Sequence, residues 1–162
     1  MIKKKIQEEI NEQIQAELQS AYQYLGYAGW FEEKNLDGFA HWLKHQWEEE
    51  IEHAMKFYHH IIRRGGHVEL KKLEAPRVDA DSPAEIFEQV LEHERHITKR
   101  IHKLYDLAEK EDDYPLKTLL HWFIEEQVEE EDTSSTILEK LELIGEQGTS
   151  LYVLDRELAQ RE

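Results

Sequence analysis

The chain has 162 residues, 40% of them hydrophobic and 35% charged, with a formal net charge of −16 and a pI near 5.0. Those totals fit one folded domain with room for a real core beneath a heavily charged surface. The acidic balance argues against nucleic acid and against an anionic membrane surface as partners and suits cations as ligands, while the absence of cysteine excludes disulfides, iron–sulfur clusters and thiolate zinc sites.

No apolar run follows the opening Met1-Ile2-Lys3-Lys4-Lys5, so no signal peptide is expected. No stretch approaches the roughly 18 apolar residues of a membrane span. The expectation is a soluble, cytoplasmic protein.

Residues 4–33 place Ile6, Ile10, Ile14, Glu17, Ala21, Tyr24, Ala28 and Phe31 at steps of three or four, which predicts a helix with one inward seam. A short turn follows at 34–38, with Asp37 expected as an N-cap. The second helix, about 38–64, carries Phe39, Leu43, Gln46, Glu50, His53, Phe57 and Ile61 on its seam, and Gly65-Gly66 stops it. Residues 66–82 hold Pro76, many charges and little periodicity, and are read as a long extended connection. Ser82-Pro83-Ala84-Glu85 then combines an N-cap, proline at the first helical position and a capping-box glutamate. The third helix follows with Phe87, Val90, Glu94, Ile97, Ile101, Leu104 and Ala108. Asp112-Asp113 opens the fourth, whose seam runs Leu116, Leu120, Phe123, Gln127, Glu130, Ser134, Ile137, Leu141 and Ile144. Gly145 and Gly148 are expected to break it. Leu151, Leu154 and Leu158 predict a short fifth helix at about 149–160.

Loop lengths fix the topology. Helices one and two share a short turn and must be antiparallel, as must three and four. The middle connection of about 17 residues reaches roughly 50 Å at about 3.3 Å per residue, and a helix of about 28 residues is roughly 42 Å long. It can therefore run the length of a bundle and set helices two and three parallel. The expected fold is all-α: a four-helix bundle over about 4–145 with one long crossover, which is the ferritin-like topology, plus the short fifth helix.

Four glutamates stand on those apolar seams. Glu17, Glu50, Glu94 and Glu130 each belong to a different helix, with His53 and Gln127 one turn from Glu50 and Glu130. A buried, unpaired carboxylate costs several kcal/mol, so such a residue normally has a cation beside it. Glu50 and His53, at i and i+3, can meet one ion. Four carboxylates with one imidazole suit two iron or manganese ions. Two blander readings compete: a slightly misread helical face, and a polar network that only fixes packing. The network would need basic partners, and the seams show no lysine or arginine beside the acids.

Tyr24 lies two turns from Glu17 on the same face, as a redox-active phenol, a hydrogen-bond partner to the site, or a plain core tyrosine. Trp122 lies beside the fourth seam, as an electron donor or as ordinary core packing. Glu49, Glu126 and Glu129 sit about 100° off the seams. They form either a third cation site with Glu130 or a solvated acidic face. The histidines His41/His45, His59/His60 and His93/His96 include pairs at i, i+3 and i, i+4 that either bind stray metal or, as the preferred reading, are plain surface residues.

At these residues the chain closely resembles the haem-free bacterial and archaeal ferritins. The matching pieces are Asn11-Glu12-Gln13 with Glu17 and Tyr24, Glu49-Glu50 with His53-Ala54, His93-Glu94, and Trp122-Phe123 with Glu126-Gln127-Val128-Glu129-Glu130-Glu131. The tail, with Leu154-Asp155 and Glu157-Leu158, is similar too. The resemblance implies a ferroxidase centre in which Glu17, Glu50 and His53 hold one iron. Glu50 bridges to a second, held by Glu94 and Glu130 with Gln127 beside it. It implies a third iron site at Glu49, Glu126, Glu129 and Glu130, and a tyrosine near the centre at Tyr24. It also implies a hollow homo-oligomeric shell of 24 subunits, with the fifth helix near a fourfold axis. Bacterioferritins carry a second Glu-x-x-His, where this chain has Gln127-x-x-Glu130, and a haem-ligating methionine, where it has Ile51; no haem is expected. Rubrerythrins need cysteines. The small starvation-type ferritins build their site between subunits, which complete ligands in one chain do not require.

The function so implied is iron storage with Fe(II) oxidation by O₂ or H₂O₂. The alternatives are a di-iron oxidase or peroxidase that stores nothing, and a structural bundle with incidental acids.

Overall fold

The seams become helices in a computed structural model that describes residues 1–145 and 148–162. The helices are α1 (Lys4–Glu32), α2 (Asp37–Arg63), α3 (Pro83–Lys110), α4 (Tyr114–Ile144) and α5 (Gly148–Leu158). Among the described residues all regular structure is helical, and no helix is long and apolar enough to cross a membrane. Every residue expected on the seams of α1 to α3 is buried, and so is that of α4 up to Leu141. Ile144 and Leu151 are only half-buried, at the edge of the core. Gly148, expected to break structure, is the first residue of α5.

Three helices end in the same way. Asn35, Gly65 and Asp112 adopt positive φ (57°, 70° and 54°), and the amides around them turn back onto the last carbonyls. Leu36 donates to Phe31, Gly66 to Ile61 and Asp113 to Ala108. This left-handed stop satisfies carbonyls that would otherwise be orphaned, and Asn and Asp tolerate it nearly as well as Gly. Ser82 and Asp113 cap α3 and α4 as expected, accepting from the Glu85 and Leu116 amides. Asp37 does not cap α2. It lies inside the first turn, and Leu36 holds the cap position without a side-chain bond. The cap comes from elsewhere in the chain: Asp155 of α5 accepts from the Phe39 amide at 3.0 Å. Gly38 lets α5 come this close, since a Cβ there would fall 1.7 Å from the Asp155 carbonyl oxygen.

Two apolar clusters give the topology. One joins the end of α1 (Phe31), the starts of α2 (Phe39) and α3 (Phe87), the end of α4 (Leu141), and α5. The other joins the start of α1 (Ile6), the ends of α2 (Ile61) and α3 (Ala108), and the start of α4 (Leu116). So α1 opposes α2, α2 runs with α3, and α3 opposes α4. Stacked rings anchor the clusters: Phe31 on Phe39 at 4.7 Å and Phe57 on Phe123 at 4.2 Å. Each fully buried ring or branched aliphatic side chain contributes about 1.5–3 kcal/mol, which offsets the polar layer held between the clusters.

The crossover runs along α1 on a ladder of amides. Gln7, Asn11, Gln15, Gln19 and Gln23, each four residues apart, bond the backbone of His67, Glu69, Lys72, Glu74 and Arg77. An extended segment lacks internal partners for its N–H and C=O groups, and a stride of four keeps one helix face turned to it. At Gly26, where a Cβ would lie 2.9 Å from Pro76 Cβ, the crossover presses close to the helix.

Candidate metal centre

Between the two apolar clusters lies a layer of buried polar side chains. Glu17 and Glu94 are 0% exposed, Glu50 1%, His53 3%, Gln127 2% and Glu130 5%. These side chains come from all four long helices. Three of the four carboxylates have an amide partner. Gln13 Nε2 donates to Glu17 Oε1 at 2.7 Å, Gln46 Nε2 to Glu130 Oε2 at 2.8 Å, and Gln127 Nε2 to Glu94 Oε2 at 3.1 Å. Glu94 Oε1 also accepts from the Tyr24 phenol. Glu50 has no amide partner among the described residues. Its neighbour is His53, with Nδ1 3.5 Å from Glu50 Oε2.

Two carboxylate oxygens, Glu17 Oε2 and Glu50 Oε2, are buried with no hydrogen-bond partner among the described residues. An orphaned carboxylate oxygen in a dry interior is costly. Ligand atoms of Glu17, Glu50 and His53 lie within 4.8 Å of one another, and so do those of His53, Glu126 and Glu130. His53 is common to both groups. Glu94 belongs to neither, being turned onto Tyr24 and Gln127.

The electrostatics agree with crowded, dry acids. Burial first, then Glu17 and Glu94, push the Glu50 carboxyl well above its ordinary range. Burial raises Glu94 to about 7 even though Tyr24 and Gln127 pull it down. Burial and Glu94 raise Glu130 to about 8 against the Gln46 bond. Without a cation the layer takes up protons in the neutral range; with divalent ions present the same oxygens serve as hard ligands. Tyr24 keeps its proton, since burial and Glu94 hold the phenol well above its usual value.

The outer acids form a different environment. Glu126, Glu129, Glu49 and Glu130 line a small cavity of about 80 Å³ with Gln46, Thr133 and Arg161. Glu126 approaches His53 Nε2 at 3.9 Å, and Glu129 is exposed. Glu49 is ion-paired at 2.6 Å with Arg161, from the segment after α5. The sequence offered no basic partner near the acids because this one is separated from Glu49 by more than a hundred positions and arrives only when α5 docks.

Other expectations need correction. Trp122 is 37% exposed and is not core packing. It stands edge-on to His53 at 5.4 Å, with the Lys56 ammonium 4.4 Å above its ring. His60 is not a surface residue: it is buried beside Arg64, which donates to its Nε2 and pairs with Asp113. His93 is half-buried and bonded to Ser20 Oγ at 2.5 Å. The supporting residues Gln46, Thr98 and Arg100 drew no role from the sequence, yet Thr98 and Arg100 bond Gln127 and Gln13. A polar residue on an apolar seam, as Gln46 is, was the available signal.

Comparison with known proteins follows the whole chain. The ferritin-like domain family matches residues 7–144. A bacterial non-heme ferritin of Bacteroides fragilis is 41% identical over 161 residues, covering 99% of this chain and 100% of its own. One from Staphylococcus epidermidis is 37% identical, covering 99% and 97%. The open-pore ferritin of the hyperthermophilic archaeon Archaeoglobus fulgidus superposes with a TM-score of 0.98 at 46% identity over 100% of both chains. An engineered closed form of that ferritin does so with the same score and identity, over 100% of this chain and 99% of its own. Matched by the family model over residues 7–144 and by relatives over nearly its whole length, the chain belongs to the ferritin family.

Proposed function

We propose that this protein stores iron and oxidises it on the way in. Two Fe²⁺ ions enter the buried layer as substrate. Glu17, Glu50 and His53 hold one; Glu50 bridges to the other, which Glu94 and Glu130 hold with Gln127 beside it. Each ion gives one electron to O₂ or H₂O₂. With H₂O₂, two electrons and two protons yield two waters. Fe³⁺ then leaves for a mineral inside a hollow shell of 24 copies. Glu49, Glu126 and Glu129, with Glu130, take a third iron.

The observation that carries this reading is the pair of orphaned oxygens on Glu17 and Glu50, buried and without a donor among the described residues. A layer built only for packing would give both of them donors, as Tyr24 and Gln127 do for the two oxygens of Glu94. The protein's part in the oxidation is to place two ions where one oxidant reaches both. Tyr24 and Gln127 position Glu94, and Gln13 and Gln46 position Glu17 and Glu130.

The test is the initial rate of aerobic Fe²⁺ oxidation in wild-type and Glu50→Ala protein, with the mass of the assembly taken before and after loading. Storage requires a fast phase that Glu50→Ala removes and a mass that grows with iron. An unchanged initial rate in Glu50→Ala refutes the centre. A fast phase with iron lost as precipitate from a small oligomer makes the protein a non-storing oxidase.

A further inference from the structure

The acidic cavity already holds a cation of the protein's own. Arg161 lies three residues beyond α5, yet it is fixed from four directions. His41 Nε2 bonds its carbonyl oxygen at 2.7 Å. Its Nη1 donates to the Trp42 carbonyl at 3.2 Å, and its guanidinium carbon lies 4.6 Å over the Trp42 ring. Its Nη2 donates to Glu49 Oε2 at 2.6 Å. Upstream, the Asp155 cap on α2 and the close approach at Gly38 set the register of the segment. A guanidinium set over an indole ring and forked between a carbonyl and a carboxylate is a pre-organised charge, unlike a loose surface arginine.

We infer that Arg161 is the resident counter-cation of the outer acidic cavity, and that a metal ion entering there must take Glu49 away from it. This rests on the third-iron reading given above. It makes Arg161 a positioning residue. In the metal-free protein it engages Glu49 at the cavity wall and offsets the mutual repulsion of Glu49, Glu126, Glu129 and Glu130. It thereby weakens the outer site relative to the inner pair and favours release of the ion from it. Linkage makes the effect reciprocal: a cation bound at Glu49 must loosen the 159–162 segment.

The test uses the assembled, metal-free protein and Mn²⁺ alone, a redox-stable, oxygen-preferring probe. Calorimetric titration compares wild type, Arg161→Gln, Arg161→Lys and the Arg161→Gln/Glu49→Gln double variant. Arg161→Gln is expected to tighten the third binding step about tenfold and to leave the first two unchanged. Arg161→Lys, which keeps the charge, stays nearer wild type, and the double variant loses the gain. Amide hydrogen exchange over 159–162 rises in wild type when the third step saturates. Three steps with the same third constant in wild type and Arg161→Gln overturn the role of Arg161 while leaving the site standing. Two intact steps and no third in any variant remove the outer site, and this inference with it.

Discussion

Asp155 and Phe39 are 116 positions apart, and the carboxylate of the first caps the amide of the second at 3.0 Å. A contact normally made inside one helix turn is here made between α5 and α2. Losing a capping carboxylate costs about 1 kcal/mol, so Asp155→Ala is expected to lower stability by that order and loosen α5. Gly38→Ala acts on the same joint from the other side. Its methyl would collide with the Asp155 carbonyl, and forcing the two apart costs about 1–3 kcal/mol. Denaturant midpoints measure both. If each variant melts like wild type, α5 does not depend on this joint.

The crossover ladder gives a more local prediction. Gln19 makes two bonds to Glu74, donating to its carbonyl at 3.0 Å and accepting from its amide at 2.7 Å. Both are solvent-exposed, so Gln19→Ala should cost only about 0.5–1 kcal/mol globally. The Glu74 amide, stripped of its acceptor, should exchange with solvent much faster, while the amides of α1 keep their protection. Unchanged exchange at Glu74 would mean that the crossover is held by something other than the ladder.

At the other end of the bundle, Arg64 makes two bonds to the Asp113 carboxylate, at 2.7 and 2.9 Å, and a third to His60. Asp113 also caps α4. Burial pushes its carboxyl up, but the Arg64 bonds, the Leu116 amide and the Arg64 charge outweigh this and hold it below its ordinary value. Its contribution to stability is therefore present above the ordinary carboxylate range and is lost as pH falls through the lowered value. His60 is pushed down to about 4, by burial first and then by Arg64. An unfolded His60 takes a proton near pH 6.5 and the folded one does not, so stability drains as pH falls from about 6.5 to about 4. Arg64→Ala leaves a buried carboxylate without its partner and should cost about 3 kcal/mol. His60→Gln should flatten the upper part of the acid-induced loss. A His60→Gln protein with the full wild-type slope between pH 6.5 and 4 would refute the assignment.

How much of this was legible beforehand follows from the range of each interaction. The seams of α1 to α4, their parallel and antiparallel order and the seam acids were readable because period and loop length are local quantities. The left-handed stop at Gly65 was readable for the same reason. Asp37 misled because its position suits a cap, whereas the cap that forms is Asp155, brought in by tertiary docking. Arg161 was invisible beside Glu49 for the same reason. The amide ladder was readable in principle, since Gln7, Asn11, Gln15, Gln19 and Gln23 share one stride. Its meaning needed the crossover in place. That Glu94 turns to Tyr24 and Gln127, while Glu126 joins His53, depends on side-chain geometry that no spacing encodes.

The acid layer itself makes the last prediction. In the metal-free fold burial raises Glu94 to about 7 and Glu130 to about 8, whereas both titrate near 4.3 when unfolded. Between those values the native state binds more protons than the unfolded one, so its stability falls as pH rises. This is opposite in sign to the effects of His60 and Asp113, which lie below about pH 6.5. The window from 6.5 to 8.5 therefore isolates the layer. Chelator-treated protein should show a melting temperature that declines across it, and saturation with Mn²⁺ should raise and flatten the curve, because a ligand that binds only the native state stabilises it. Mn²⁺ binding at pH 7 should also release protons, visible as a heat that changes with the ionisation enthalpy of the buffer. A metal-free melting curve that is flat across the window, together with a heat independent of buffer, would show that the carboxylates are already charged and that burial does not govern them.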